Sequence, residues 1–308
     1  MGKGHGFGKV ILFGEHFVVH GVPGIASATS LSTEAVVKRS KGPGLTVIDN
    51  RKGTEGYTES KKEQQKESLE FTMKAMGIDL KKNTMEITLG GDLPVFSGIG
   101  ASAASAVAIA RAISDEFRMK LSDERINEIA YEAEKAYAGN PSGIDNTAAT
   151  YGGLIWFMRG TPSKMERLKI RSRVEIVMGN SGVVADTKAV VTGVGERKQK
   201  DSKKYDRIFK QADELVHKAR TALENFDLKA VGQLMNENHK LLQDIEVSGK
   251  ELDFLVNLAR QKGAWGAKLT GGGVGGCMVA LTPGRELQEK VASAMEKEGF
   301  KVLRMRVG

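Results

Sequence analysis

The sequence predicts an α+β protein in which helices pack against sheets. Strand-like and helix-like segments alternate in both halves of the 308-residue chain, as expected for layered folds that combine the two. No internal repeat of about 20–50 residues is visible, which argues against a solenoid or a propeller. At about 150 residues per domain, the length predicts two domains. A polar stretch at residues 161–171 places the predicted boundary between residues 1–168 and 169–308.

Three strands and three helices are predicted in the N-terminal half. Short apolar or alternating runs predict strands at residues 10–13, 33–38 and 85–89. Apolar residues at helical spacing predict helices at residues 59–76 and 123–138, and an alanine-rich run predicts a helix between them at residues 102–117. The helix at residues 102–117 is apolar on nearly every side, which is typical of a buried helix. Gly139 and Pro141 end the helix at residues 123–138.

The C-terminal half continues the alternation. Apolar runs predict strands at residues 174–178, 267–270, 277–282 and 300–307. Amphipathic patterns predict helices at residues 205–224, 228–243, 251–262 and 285–298. A run of glycines separates the second of these strands from the third, so the loop between them is unusual in composition.

The composition excludes several classes of protein. Cys277 is the single cysteine, so no intrachain disulfide can form, which fits a reducing compartment. No apolar run reaches about 18 residues, and the N-terminus has no secretory pattern. The net charge of +8 comes from basic residues interleaved with acids, and aromatic residues are only 6%. This favours a solvated surface over a nucleic-acid groove, and a cytoplasmic enzyme or binding protein is predicted.

The 37 glycines fall in clusters, and the first cluster lies at residues 94–104. There a strand ends, a turn with Gly98 and Gly100 follows, and the buried helix begins. Helix N-termini carry unpaired N–H groups and partial positive charge, so this arrangement suits a phosphate group. It is not a Walker A loop, because no Gly-Lys-Ser/Thr follows. An ordinary strand-to-helix turn is the alternative.

The second cluster is the run at residues 270–277, where five glycines occupy six positions between two apolar strands. Each glycine loses more backbone entropy on folding than another residue would. A flexible loop is the alternative, but flexible linkers are usually polar at both ends. We therefore expect the run to approach another backbone or a ligand closely.

Three charged residues are candidates for chemistry, although each has an ordinary structural explanation. Lys9 stands where an apolar strand begins, as a solvated strand end would. Glu134 lies about 80° from the centre of the apolar stripe of its helix, at an edge where a carboxylate faces either a cleft or solvent. Asp145 precedes a short helical stretch and could be its N-cap. His16 and His20 are four residues apart, but without further ligands they do not predict a metal site.

Taken together, residues 8–16, 94–104 and 270–277 resemble, in order, the three motifs of the GHMP small-molecule kinases. Residues 14–21 and 139–146 resemble the branch of that family that phosphorylates mevalonate. The resemblance extends from about residue 8 to residue 281. The chain departs from the pattern at three positions, with Phe7 in place of proline, Ala101 in place of the first of two serines, and Val274 within the glycine run. Val274 would be strained if its position requires a positive φ.

The resemblance implies a ribosomal S5-like N-terminal ATP-binding domain at residues 1–168 and a ferredoxin-like C-terminal domain at residues 169–308, with the active site between them. It implies ATP-dependent phosphorylation of the primary (C5) hydroxyl of mevalonate in isoprenoid biosynthesis, with Mg²⁺ as cofactor. A cytoplasmic protein that binds neither nucleic acid nor membrane is expected. A homodimer is one candidate assembly that the sequence does not decide.

The resemblance also implies roles for individual residues. Asp145 would accept the proton of the alcohol, and Lys9 beside it would keep that carboxylate ionised and offset charge on the transferring group. Ser102 and Glu134 would hold Mg²⁺. The phosphates of ATP would lie on Phe96, Ser97, Gly98, Ile99, Gly100, Ala101 and Ser102. The substrate would contact Lys9, Glu15, His16, Asp145 and Thr187.

Three alternatives stay open. The first is a sister GHMP kinase that acts on phosphomevalonate, homoserine or a sugar. The second is a related decarboxylase that phosphorylates a tertiary alcohol, against which residues 15–16 and 140–145 argue. The third, of another class, is a basic nucleic-acid-binding protein, which would bind strands in a salt-sensitive way and would not turn over ATP.

Overall fold

The computed structural model describes residues 1–40, 44–53, 57–96 and 98–308, and its mixture of helices and strands confirms the predicted α+β class. Contacts group the chain into two compact units, each built from non-contiguous segments. Unit 1 comprises Met1–Lys9, Ser30–Phe96 and Gly100–Gly152, and unit 2 comprises Val10–Thr29, Ser97–Ile99 and Gly153–Gly308. The boundary between residues 1–168 and 169–308 concerns contiguous domains and stays a prediction.

Two strands, β1 (Gly2–Phe13) and β2 (Gly24–Arg39), contribute residues to both units. The remaining elements of unit 1 are β3 (Leu45–Asp49), α1 (Tyr57–Ser60), α2 (Lys62–Met76), β4 (Met85–Gly91), α3 (Ala101–Glu116), α4 (Asp123–Ala138) and α5 (Ile144–Tyr151). β2 pairs with β4 in antiparallel fashion, with Thr33 opposite Gly91, and β3 lies parallel to β4 on its other side.

The core of unit 1 is built around α3, whose alanines are almost completely buried. Small side chains allow close packing of neighbouring elements, and α2 and α4 both contact this helix. Ser122 is the N-cap of α4, where its hydroxyl accepts a hydrogen bond from the Arg125 N–H, and Gly139 is the C-cap. The predictions of a buried helix and of an amphipathic helix after it are therefore confirmed to within one residue at each end.

The first half of β1 was not predicted, because it contains a glycine at every second position. Gly2, Gly4 and Gly6 all face the backbone of α3, and a Cβ atom on any of them would overlap a main-chain oxygen of that helix. Glycine is a poor strand former, but here its missing side chain lets strand and helix approach each other. Close packing therefore overrides the weak strand propensity of this segment.

We expect Gly6→Ala to lower the free energy of unfolding by about 1–3 kcal/mol, the usual cost of forcing atoms into a packed core. The added methyl group would overlap the Ala104 carbonyl oxygen. Urea denaturation measures the change. Lys3→Ala, at an exposed position of the same strand, is the control and should change stability by less than about 0.5 kcal/mol. Equal stability of the two variants would contradict the close packing.

Unit 2 holds the other elements. These are a 3₁₀ helix (His16–His20), β5 (Leu154–Met158), β6 (Lys164–Leu168), β7 (Val174–Asn180), α6 (Thr187–Lys200), α7 (Ser202–Glu224), α8 (Leu228–Asp244), α9 (Lys250–Gln261), β8 (Gly266–Thr270), β9 (Cys277–Leu281), α10 (Arg285–Lys297) and β10 (Lys301–Val307). Antiparallel pairs join β10, β7, β9 and β8 in that order, and β5 lies between β6 and the first residues of β2.

Four elements of unit 2 were not predicted from the sequence, namely the 3₁₀ helix, β5, β6 and α6. The polar stretch at residues 161–171 contains β6, an edge strand whose side chains are mostly exposed. α6 contains two glycines, Gly193 and Gly195, and buries only Val194 completely, so it has neither high helix propensity nor an apolar stripe. Among the helices of the described residues, none combines the length and the apolarity needed to cross a bilayer.

Candidate active site

In unit 1, the turn before α3 is shaped by Gly100, the N-cap residue of that helix, which has φ 74°. A Cβ atom at this position would lie 2.5 Å from Cγ of Lys9. Glycine is therefore needed both for the positive φ and to leave room for the Lys9 side chain. The first N–H groups of α3 are thus available to an anion. Phe96 and Ile99 are buried, so they can offer only main-chain groups, and Ser97 lies outside the described residues.

Lys9 and Asp145 form an ion pair in unit 1, with 2.9 Å between Lys9 Nζ and Asp145 Oδ1. The lysine side chain is only 3% exposed, whereas that of Asp145 is 32% exposed. The pair thus has one buried member and one that reaches solvent. The N-cap of α5 is Gly143, with φ 91°, so the capping explanation for Asp145 is excluded.

Glu134 lies on α4 and is almost completely buried, which excludes the alternative of a solvent-exposed surface acid at the edge of the apolar stripe. α3 and α5 both pack against α4 and cover that edge. Burial and, after it, the nearby Asp145 carboxylate raise the pKa of Glu134 to about 8, although a hydrogen bond with Ser102 and the charge of Lys9 act in the opposite direction. No hydrogen-bond donor within the described part of the chain reaches Glu134 Oε1.

A buried carboxylate with an unpartnered oxygen is costly unless a cation neutralises it. Glu134 therefore has the environment of a ligand for a hard divalent cation, and the Ser102 hydroxyl beside it is a second oxygen donor. Across residues 1–40, 44–53, 57–96 and 98–308, no three His, Cys, Asp or Glu side chains cluster as a metal site. A cation held here would need water or substrate oxygens to complete its coordination, as is usual for Mg²⁺.

A small cavity, partly open to solvent, lies beside the first turn of α3 in unit 1. Ser102 lines it together with Gln65 and Tyr137, and so do Asp49 and Arg51. The guanidinium group of Arg51 is 3% exposed and donates two hydrogen bonds to the Asp49 carboxylate, at 2.9 and 2.7 Å. No sequence pattern indicated this cavity.

In unit 2, His16 is fixed by a hydrogen bond of 2.9 Å between its Nε2 and the Gly272 carbonyl oxygen. A carbonyl oxygen only accepts, so Nε2 carries the proton. Burial lowers the pKa of His16 to about 4, and the ring is therefore neutral near pH 7. Nδ1 is then left as a hydrogen-bond acceptor.

Thr187 is the first residue of α6 and also lies against Gly272. Its Oγ1 is 2.8 Å from the place that a Cβ atom on Gly272 would occupy. Asp186 is the N-cap and accepts hydrogen bonds from the Lys188 and Ala189 N–H groups. The structure thus brings His16 and Thr187, 171 residues apart in sequence (187 − 16), to one glycine of the third motif.

Glu15, which was also predicted to line the substrate, has its carboxylate turned into the interior of unit 2. Its oxygens are bound by the side chains of Asn238 and Lys268. Sequence reasoning missed both partners, because they are more than 200 residues away and belong to no motif that marks them.

The glycine run at residues 270–277 packs closely against neighbouring backbone, which confirms that interpretation of its composition. A Cβ atom on Gly273 would overlap the Val247 carbonyl oxygen, and one on Gly275 would lie 2.5 Å from the Val183 carbonyl oxygen. Val274 between them has φ 62°, so the expected strain at this position is confirmed. Its side chain is 42% exposed and gains little from burial.

We expect Val274→Gly to raise the free energy of unfolding by about 1 kcal/mol. Relief of a β-branched residue at positive φ is worth about 1–3 kcal/mol, and the extra backbone entropy of glycine offsets about 0.5–1 kcal/mol of it. Lys120→Gly, at a position with φ 52° and an unbranched side chain, is the control with a smaller gain. Urea denaturation compares the two, and a loss of stability in Val274→Gly would contradict strain.

Comparisons with known proteins find related sequences and related structures. The family model described as "GHMP kinases N terminal domain" matches residues 66–153, and that described as "GHMP kinases C terminal" matches residues 219–301. The mevalonate kinases of Pyrococcus horikoshii and Pyrococcus furiosus are 36% and 38% identical, and each alignment covers 94% of this chain and 91% of the relative. The crystal structure of L. major mevalonate kinase in complex with R-mevalonate is 38% identical, with a TM-score of 0.92 over 100% of this chain and 96% of that one.

Proposed function

The chain belongs to the GHMP kinases, and on that premise we propose that it transfers the γ-phosphoryl group of ATP to the primary hydroxyl of mevalonate. Relatives that carry the name mevalonate kinase align over nearly the whole length of both chains. The structural observation that carries the proposal is the Lys9–Asp145 ion pair. This ion pair lies near Glu134 in unit 1, and both Lys9 and Asp145 affect the pKa of Glu134.

Phosphoryl transfer requires positioning and charge neutralisation more than covalent chemistry by the protein. The main-chain N–H groups of residues 96–102 would hold the phosphates of ATP, and the cavity beside α3 is the candidate place for the rest of the nucleotide. Ser102 and Glu134 would hold Mg²⁺, as the unpartnered Glu134 Oε1 suggests. When bound, Mg²⁺ offsets the negative charge of the phosphates.

Asp145 would accept the proton that the substrate hydroxyl releases on attack. Its partly exposed carboxylate is held in place by the buried ammonium group of Lys9, so that one of its oxygens has a fixed position from which to act as a base. Lys9 would also stabilise negative charge on the transferring group. In unit 2, His16 and Thr187 would line the substrate.

A test of the proposal is the rate of ADP release with mevalonate, phosphomevalonate, homoserine and galactose as acceptors. Mevalonate should be fastest. Phosphomevalonate already carries a phosphate on the oxygen that must attack, and its charge would repel the γ-phosphate of ATP in a cleft. Faster turnover of any of the other three acceptors would keep the kinase family and discard mevalonate as the substrate.

We also propose that the protein acts in the cytoplasm, without nucleic acid or a membrane surface. The interleaving of its basic and acidic residues supports this. A gel shift with single and double strands tests the nucleic-acid alternative, and salt-sensitive binding without ADP release would favour it. The homodimer stays a prediction, which light scattering of the purified protein would decide.

A further inference from the structure

The carboxylate of Glu15 is engaged entirely inside unit 2. Asn238 Nδ2 donates to Oε2 at 2.9 Å, and Lys268 Nζ donates to Oε1. The side chains of Glu15 and Lys268 both have zero exposure. Each oxygen accepts a side-chain hydrogen bond and neither is exposed, so this conformation does not present the carboxylate to a substrate.

Lys268 makes two further hydrogen bonds, one within its own strand and one that joins this strand to β1. Its Nζ donates to the Leu269 carbonyl oxygen at 2.7 Å and to the Ile11 carbonyl oxygen at 3.4 Å. The next residue but one, Thr270, accepts from the Ile11 N–H at 3.1 Å and donates to the Ile11 carbonyl oxygen at 3.0 Å. β8 therefore fixes the segment of β1 that leads directly into Glu15 and His16.

Stability alone does not explain this buried ion pair. Desolvation of two charges usually offsets their attraction, and apolar replacements of both partners are often neutral or stabilising. What the pair does provide is a defined position for Glu15, whose chain neighbour His16 must place Nε2 on the Gly272 carbonyl oxygen. Small displacements of a group that binds substrate cost much in rate.

We propose that Lys268, together with Asn238, is a positioning residue that fixes Glu15 and thereby holds the His16 ring in its Nε2–H form. With Nε2 donating to Gly272, Nδ1 is the ring atom left for the substrate, and as an acceptor it binds a hydroxyl group rather than a carboxylate. The proposal rests on the proposed function, in which His16 lines the substrate. It revises the role of Glu15 from a substrate contact to a link between Lys268 and His16.

The test uses the double variant E15Q/K268M in the full-length chain, because K268M alone would leave a buried, unpaired carboxylate. The double variant removes both charges and keeps both side chains close to their original size. The first readout is the pair of ring ¹⁵N shifts of His16, assigned by their absence in H16A. We expect a single Nε2–H tautomer in the wild-type protein and a mixture of tautomers in the double variant.

The second readout is steady-state kinetics. We expect the KM for mevalonate to rise at least about tenfold and the KM for ATP to stay within about twofold, because only substrate binding depends on His16. The matched control is Gln288→Leu, which removes two buried hydrogen bonds of unit 2, from Gln288 Nε2 to the carbonyl oxygens of Ile176 and Met305. It should lower stability without changing the His16 tautomer or the ratio of the two KM values.

A folded double variant with the wild-type tautomer and an unchanged KM for mevalonate would overturn the proposal. If the double variant does not fold, N238A decides instead, since it removes one donor to Glu15 and should shift both readouts in the same direction by a smaller amount. If the wild-type protein does not phosphorylate mevalonate, the proposed function is wrong. The tautomer measurement would still decide the role of Lys268.

Discussion

Asp145→Asn should lower kcat by about 10²–10⁴-fold, the range typical for loss of a general base. Asparagine keeps the shape of the side chain but cannot accept the proton of the attacking hydroxyl. It also removes the counter-charge of Lys9, which is almost completely buried, so some loss of stability accompanies the loss of rate. Single-turnover kinetics with ATP and mevalonate, on protein shown to be folded by circular dichroism, measures the effect.

The affinity for ATP distinguishes the loss of a general base from general damage to the fold. Asp145 acts on the acceptor hydroxyl, so the affinity of the variant for ATP should change little. Asp123→Asn is the matched control, because it breaks an exposed ion pair in the same unit, with 2.6 Å between Arg111 Nη2 and Asp123 Oδ1. That variant should keep its full rate. A turnover rate of Asp145→Asn near the wild-type value would show that Asp145 is not the general base.

Glu134→Gln has the second largest expected effect, a fall in kcat of about 10²–10³-fold, as for loss of one electrostatic contact to the transition state. The amide keeps the size of the side chain and is a poor ligand for Mg²⁺. The Mg²⁺ concentration for half-maximal rate should rise as well. A Mg²⁺ titration at fixed ATP measures both quantities.

The stability of this variant should not fall together with its rate. In the absence of Mg²⁺, the buried carboxylate of Glu134 is costly to hold, so the amide should leave the free energy of unfolding unchanged or raise it. Glu132→Gln, two residues away and paired with Lys135 at 2.6 Å on the partly exposed face of α4, is the control and should keep the wild-type Mg²⁺ requirement. An unchanged Mg²⁺ requirement in Glu134→Gln would rule out Glu134 as a metal ligand.

The helices that the sequence predicted well are those with a clear apolar stripe, such as α7 and α10, since burial of that stripe determines where such helices form. Some of the elements that it missed depend on contacts that the local pattern of residues does not show. The first half of β1 is a strand because its glycines face α3, which is distant in sequence. β6 pairs with β5, the strand directly before it, but its mostly exposed side chains give no apolar alternation.

The same distinction holds for the site. Lys9, Ser102, Glu134 and Asp145 were found because they match motifs, and the structure places them all in unit 1. The burial of Glu134 could not be read from its helix alone, because the packing of α3 and α5 decides it. Lys268 looked like an ordinary strand residue, and only the folded chain brings it to Glu15.

The division of β2 between the two units has a consequence for folding during synthesis. Residues 24–27 pair with β5, and Thr29 lies opposite Val307 of β10, whereas residues 33–39 pair with the nearby β4. On the ribosome, unit 1 has all its segments once residue 152 has emerged. Residues 24–27 can pair as soon as β5 follows, but Thr29 gains its partner only when the chain reaches residue 307. A strand edge left unpaired for that time is a template for aggregation, and it is an expected binding site for a nascent-chain chaperone.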